Sequence, residues 1–204
     1  MLVHAMSCIA PPQFSAVYRT ASERCLCAFL LCFAVANPTV LASTPIKVPI
    51  GGTLRDATLQ GLNGPTRTLS TFRGRPLIIN VWASWCGPCR EEMASLERLA
   101  WRDGMQYLAI IGISTDDDAD QAKGMLKNAN ATISHFIDIG QQMESMLGAS
   151  RIPLTVLVDA NGRILQKIYG ARQWDGADAL RLIDDAFHNR PRIPQSQGPD
   201  VLRP

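Results

Sequence analysis

The junction from Pro76 to Arg90 constrains the fold more than any other part of the sequence. Pro76-Leu77-Ile78-Ile79-Asn80-Val81 runs almost unbroken apolar into Trp82-Ala83-Ser84-Trp85-Cys86-Gly87-Pro88-Cys89-Arg90. A near-continuous apolar run marks a strand buried on both faces, so other elements must cover it on both sides. Directly after it, Cys89, Met93, Leu96 and Ala100 recur at i, i+4, i+7 and i+11, predicting a helix from about Pro88 to Trp101. A buried strand feeding straight into a helix is the start of an α/β unit.

The pattern then repeats. Tyr107 to Ile113 reads as a second buried strand, Asp117 to Ala129 as a helix, His135 to Ile139 as a short strand, and Gln141 to Leu147 as a helix stopped by Gly148. Leu154 to Val158 and Arg163 to Tyr169 read as strands joined at Asn161-Gly162, and Trp174 to His188 as a closing amphipathic helix. Upstream, Asn63-Gly64 between two apolar-polar segments predicts a β-hairpin over Asp56 to Leu69. These elements imply an α/β fold: a central mixed sheet with helices on both faces and an N-terminal β-hairpin. No internal repeat is found.

The chain has 204 residues, a formal charge of +2 and 47% hydrophobic residues, which excludes wholesale disorder and gives no clustered basic excess for nucleic acid. Of its six cysteines, four fall in the first 32 residues. There, Arg19 and Arg24 precede an apolar run from Leu26 to Ala36, and Val40-Leu41-Ala42 before Ser43 fits a small-residue cleavage site. Residues 1–42 therefore read as a secretory signal peptide, with an uncleaved anchor as the rival. Residues 43–189 form the folded domain, and the tail from Arg190, with four prolines and three arginines in fifteen residues, is expected to be disordered. Cleavage leaves Cys86 and Cys89 as the only cysteines, a close pair that suggests chemistry rather than stapling.

A sulfur placed where a buried strand meets a helix N-terminus faces unpaired N–H groups and the positive end of the helix dipole. Both favour the thiolate, so Cys86 is the expected nucleophile, and Cys89, inside the helix, the less exposed resolving thiol. Pro88 suits the first helical turn, where its missing N–H costs nothing. A zinc pair and a static disulfide are the competing readings. Zinc wants four ligands and finds only His135 and His188 further along, while a disulfide closing so short a loop gains little unfolded-state entropy. Asp116-Asp117-Asp118-Ala119-Asp120 lacks the glycine and glutamate of a calcium loop, at Gln121 and Lys127, and reads as a helix cap. His135 and His188 are expected to be solvated or satisfied, with no acid near in sequence. Asn130-Ala131-Thr132 is a formal glycosylation sequon with no bearing on the chemistry.

The segment from Gly74 to Leu99, with its WCGPC core, resembles the active-site segment of thioredoxin-fold proteins, in particular TlpA/ResA-type thiol–disulfide oxidoreductases. Gly112-Ile113-Ser114-Thr115-Asp116, and Ile152-Pro153 followed by Thr155 to Gly162, are similar to that group in order and spacing. The resemblance covers residues 50 to 188 and implies a thioredoxin-like fold in which Pro153 is a cis-proline beside the cysteines. It further implies that the Ile152 backbone is free to pair with an extended substrate. Leu154 departs from the threonine or glutamate that many relatives carry after this proline. Asn80 stands where cytosolic thioredoxin has a buried aspartate, and an amide cannot exchange a proton. Glu92, three residues after Cys89, matches a glutamate near the cysteines of ResA-type proteins; it is either the base for Cys89 or an ordinary first-turn acid. Trp82 and Trp85 are expected to flank the cysteines, with Trp85, Gly87, Pro88 and Ile152 forming the substrate-facing rim.

The function implied is extracytoplasmic, periplasmic disulfide reduction without a cofactor beyond the Cys86–Cys89 pair. Gly-Pro between the cysteines is the thioredoxin dipeptide, whose potential of about −270 mV lies far below that of DsbA at about −120 mV. The implied partners are exported disulfide-containing proteins as substrates and a membrane thiol-electron transporter as reductant, with a monomeric protein and no nucleic acid. A Sco-like copper metallochaperone and a peroxiredoxin-like peroxidase are the alternatives on related folds. The first lacks its cysteine spacing and added histidine here, and the second wants a lone peroxidatic cysteine.

Overall fold

The computed structural model describes residues 47–188. The signal-peptide reading of residues 1–42 and the disordered-tail reading from residue 190 lie outside the described residues. Among the described residues, no helix is long and apolar enough to cross a membrane.

A seven-stranded mixed sheet organises the described residues. Its strands are β1 (Thr58–Gly61), β2 (Arg67–Thr68), β3 (Leu77–Trp82), β4 (Ala109–Ser114), β5 (Ser134–Ile137), β6 (Leu154–Val158) and β7 (Ile164–Tyr169), in the order β2-β1-β5-β4-β3-β6-β7. The helices are α1 (Gly87–Ala100), α2 (Ala119–Asn128), α3 (Gln142–Leu147) and α4 (Ala177–Phe187). β3 and β4 run parallel through α1, and β4 and β5 parallel through α2. β6 then returns antiparallel to β3 and pairs with β7 as a hairpin. This is the thioredoxin-like α/β architecture.

Every residue of β3, β4 and β6 is buried, which is why these strands read as apolar runs. One face, with Leu77, Ile79, Val81, Ile111, Ile113 and Val156, packs under α3 and the segment from Val48 to Leu54. The opposite face carries Ile78, Ile110 and Leu157 beneath Leu96 and Leu99 of α1 and Ala179, Ile183 and Ala186 of α4. Side chains alternate along a strand, so Asn80, two residues after Ile78, points to this second face. It is paired in register with Thr155 of β6.

Two expectations need correction. Asn63-Gly64 does not form a two-residue turn: neither residue takes the positive φ that such a turn demands, and the connection spans residues 62–66. Asn63 instead spends its amide on the neighbouring strand, donating to Ile133 O and accepting the His135 N–H, each at 2.8 Å. The last helix begins at Ala177 rather than Trp174, because Gly176, in extended backbone, is its N-cap. Trp174 stands in the loop before it and is fully buried.

Candidate active site

The buried central strand β3 ends at Trp82, and the chain turns once through residues 83–85 before α1. Cys86 is the N-cap residue of α1, extended at φ −85°, ψ 102°, with Pro88 in the first turn as its fixed φ and absent N–H allow. Cys86 and Cys89 are joined as a disulfide. The Cys86 Sγ also accepts the Cys89 backbone N–H at 3.3 Å, so one orphan donor of the helix start is aimed at the first sulfur. Cys86 keeps 6% exposure while Cys89 has none. That asymmetry suits an attacking sulfur that meets solvent and a resolving sulfur that does not.

Trp85 is 71% exposed beside the cysteines, whereas Trp82 is wholly buried and packs with Cys86, Cys89 and Met93. Just before the adjacent strand β6, Ile152 packs against the same cluster, and the Ile152–Pro153 peptide bond is cis. Pairing of Val81 with Leu154 sets this bond next to the end of β3. Thus Trp85, Cys86, Gly87, Pro88, Cys89, Ile152 and Pro153 converge on one end of the sheet.

Glu92 turns the other way. Although it lies in the second turn of α1, it is 1% exposed, turned into the core. Its Oε2 accepts Asn80 Nδ2 at 3.0 Å, and its Oε1 accepts the Trp174 indole N–H and faces the Thr155 hydroxyl at 3.4 Å. Burial pushes the Glu92 carboxyl above its ordinary range, opposed by the donors from Trp174, Asn80, Thr155 and the Arg172 backbone. A solvated first-turn acid would show none of this. Thr155 and Trp174 are site residues that the sequence reading missed. Thr155 was findable, two residues after Pro153 on the strand opposite Asn80; Trp174 carried no local signal.

A second carboxylate supports the loop. Asp116 belongs to the acidic run read as a helix cap, but the cap of α2 is Asp118, which accepts Asp120 N–H at 2.8 Å. Asp116 is 4% exposed and bonds Ser84 and Ser114 instead. His135 also departs from expectation. It is 1% exposed, with neither ring nitrogen hydrogen-bonded, and stands edge-on to Trp82. Its nearest acid oxygen is Glu97 Oε1 at 4.0 Å, and burial lowers its pKa. His188, expected to lack a nearby acid, pairs with Asp184 one turn earlier at 3.0 Å. Among the described residues, no three His, Cys, Asp or Glu side chains converge as a metal site requires.

A dithiol–disulfide pair capping the first helix of a mixed sheet, with a cis-proline leading into the neighbouring antiparallel strand, defines a thioredoxin-like thiol–disulfide oxidoreductase. Comparison with known proteins agrees. The chain belongs to the Redoxin family, whose model matches residues 49–183. It is 27% identical over 144 residues to thiol-disulfide oxidoreductase ResA of Geobacillus thermodenitrificans, covering 69% of this chain and 83% of that protein. It is 34% identical over 144 residues to thiol:disulfide interchange protein DsbE of Vibrio cholerae, covering 68% and 74%. Among solved structures, a Chlorobium tepidum protein assigned as a thiol:disulfide interchange protein DsbE superposes at TM-score 0.63 with 24% identity, over 69% of this chain and 99% of that one. The thioredoxin domain of a Bacteroides vulgatus thiol-disulfide oxidoreductase superposes at 0.58 with 21% identity, over 68% and 98%. Both structural likenesses speak to the fold.

Proposed function

We propose that this oxidoreductase works outside the cytoplasm as a dithiol reductant of protein disulfides. The Cys86 thiolate attacks a substrate disulfide, forming a mixed disulfide and releasing one substrate thiol. Cys89 then gives up its proton and attacks Cys86 Sγ, which releases the second substrate thiol and leaves Cys86–Cys89 oxidised. Two electrons pass to the substrate, and a membrane thiol-electron transporter returns them by reducing the pair. The observation that carries this reading is the sulfur geometry: Cys86 at the helix start accepts a backbone N–H, and Cys89 lies fully buried behind it.

Glu92 is the base that takes the Cys89 proton, because Asn80 cannot and because the carboxylate lies on the buried face of α1 one turn beyond Cys89. Trp85, Gly87 and Pro88 form the rim on which a substrate segment rests. The backbone at Ile152 pairs with that segment beside Pro153, which offers no N–H of its own. The reducing direction is supported by the Gly87-Pro88 dipeptide, and the extracytoplasmic setting by the basic flank, apolar core and small-residue exit before Ser43.

The decisive measurement is the reduction potential of the Cys86–Cys89 pair, equilibrated against dithiothreitol. A value near about −270 mV is expected, and one above about −180 mV assigns an oxidase or isomerase instead. A Cys89→Ala variant retains its substrates as mixed disulfides on Cys86, and those captured partners should be exported proteins.

A further inference from the structure

We propose that Trp174 is a positioning residue for disulfide exchange: its indole N–H, brought in by the loop after β7, holds the Glu92 carboxylate in the orientation from which it receives the Cys89 proton. The inference rests on the reading of Glu92 as the base and goes beyond it, because it assigns a role to a residue 82 positions away in the chain.

Trp174 is held from two sides. Its ring is fully buried in the apolar cluster with Ile78, Leu96, Leu99 and Leu157. Its backbone N–H donates to Ser95 Oγ at 2.9 Å. That oxygen lies 2.7 Å from Glu92 O and 3.2 Å from Arg172 O, so its single proton serves the nearer carbonyl and ties the loop to α1 at the level of Glu92. The indole N–H then meets Glu92 Oε1.

Oε1 takes the indole and the Thr155 hydroxyl, and Oε2 takes Asn80 Nδ2. An indole N–H donates and cannot accept, so Trp174 supports the ionised carboxylate without competing for the proton.

The groups that face Glu92 are the Asn80 amide from β3, the Thr155 hydroxyl from β6, and the Arg172 backbone and Trp174 indole from the loop after β7. All are uncharged. On its own helix, Glu91 is exposed and Glu97 is bonded to Thr132 and Ile133, which leaves the Cys89 thiol as the titratable group of the exchange, and Arg172 carries a charge that does not change in the working range. Burial raises the Glu92 pKa, and the Trp174 bond is the strongest of the contacts opposing that rise. Removing it leaves Glu92 protonated to higher pH, and exchange slows at neutral pH.

The test uses reduced protein and 5,5′-dithiobis(2-nitrobenzoate). Cys86 attack releases a first thionitrobenzoate, and Cys89 attack on the mixed disulfide releases the second, so the second phase reports the step that Glu92 assists. In Trp174→Phe the pH midpoint of that phase should rise by roughly one unit, with the rate recovering at alkaline pH. Glu92→Gln should abolish the midpoint, and Trp174→Phe in that background should add nothing to it. An unshifted midpoint in Trp174→Phe overturns the role of Trp174 while leaving that of Glu92 intact. A wild-type profile in Glu92→Gln overturns the base assignment itself. Should Trp174→Phe not fold, the wild-type indole 15N–1H resonance of Trp174 carries the same test. It should titrate with the kinetic midpoint and lose that titration in Glu92→Gln, and a resonance flat across the range overturns the proposal.

Discussion

Asp116 grips Ser84 through three contacts, accepting its backbone N–H at 3.1 and 2.9 Å and its hydroxyl at 2.7 Å. Ser84 is two residues before Cys86, so the end of β4 fixes the approach of the chain to the nucleophile. The Ser114 hydroxyl braces the same carboxylate at 2.6 Å, which leaves Asp116 one possible orientation. Asp116→Ala strands a part-buried N–H and two hydroxyls and should destabilise the protein by about 3 kcal/mol. It should also slow attack by Cys86, because the N-cap geometry depends on that approach. Urea unfolding together with the first thionitrobenzoate phase measures both; wild-type values in the two would show that Ser84 needs no anchor.

Gly112 of β4 fits where no other residue does. A Cβ there would lie 2.0 Å from His135 Nδ1 and 2.8 Å from Trp82 Nε1, both on fully buried rings. Neither ring has room to retreat, so Gly112→Ala should lower stability by about 2–3 kcal/mol. Adding His135→Ala should recover part of that loss, since it removes the nearer obstacle. A double-mutant cycle on unfolding free energies checks it: strict additivity would mean that the clash is relieved elsewhere.

The parts of the fold legible in the sequence are those with a local period. β3, β4 and β6 announce themselves because burial on both faces demands apolar runs, and α1 because its inner face repeats at 3.6 residues. Cys86 and Cys89 are legible because their chemistry depends on neighbours along the chain, whereas Pro153 was legible only through the family resemblance. What escaped depends on contacts between distant segments. Trp174 fits a helical stripe by pattern, yet its place is fixed by Glu92 and Ser95, which no local period encodes. Asp116 and Asp118 look alike within one acidic run, and only folding separates the inward residue from the cap. His135 looks like an ordinary strand residue until Trp82 and Glu97 close around it. Asn63 has the residue type of a tight turn, but a partner strand offers its amide better hydrogen bonds.

Trp85 exposes 71% of its surface beside the nucleophile, and the fold gains little from it. Trp85→Ala should leave unfolding free energy within about 0.5 kcal/mol of wild type. An exposed indole next to a reactive sulfur is the kind of aromatic anchor that partner proteins bury. The second-order rate with a protein disulfide such as insulin should therefore fall about tenfold. That loss should exceed the loss with 5,5′-dithiobis(2-nitrobenzoate), which is too small to use the rim. Equal losses with the two oxidants would place Trp85 outside the docking surface.

Burial lowers the His135 pKa, and this links stability to acid. Its folded pKa lies below the ordinary histidine value, with desolvation the main cause and Glu97 a partial counterweight. Below about pH 6.5 the unfolded chain takes up a proton at this position that the folded chain refuses. The unfolded state then binds more protons, so stability falls as pH falls, by up to about 1.4 kcal/mol per pH unit until the folded pKa is reached. The groups around the ring are Glu97 of α1, Trp82 of β3 and Gly112 of β4, of which only Glu97 titrates. Burial pushes the Glu97 carboxyl up, but its contacts with His135, Thr132 and Ile133 together outweigh that and hold it below the ordinary glutamate range, so it stays ionised through this window. His135→Phe keeps a ring against Trp82 and removes the proton. Unfolding free energies from pH 7 to pH 5 should then decline less steeply in the variant than in wild type. Parallel slopes would mean that His135 is protonated in the folded protein, with Glu97 as its counter-ion.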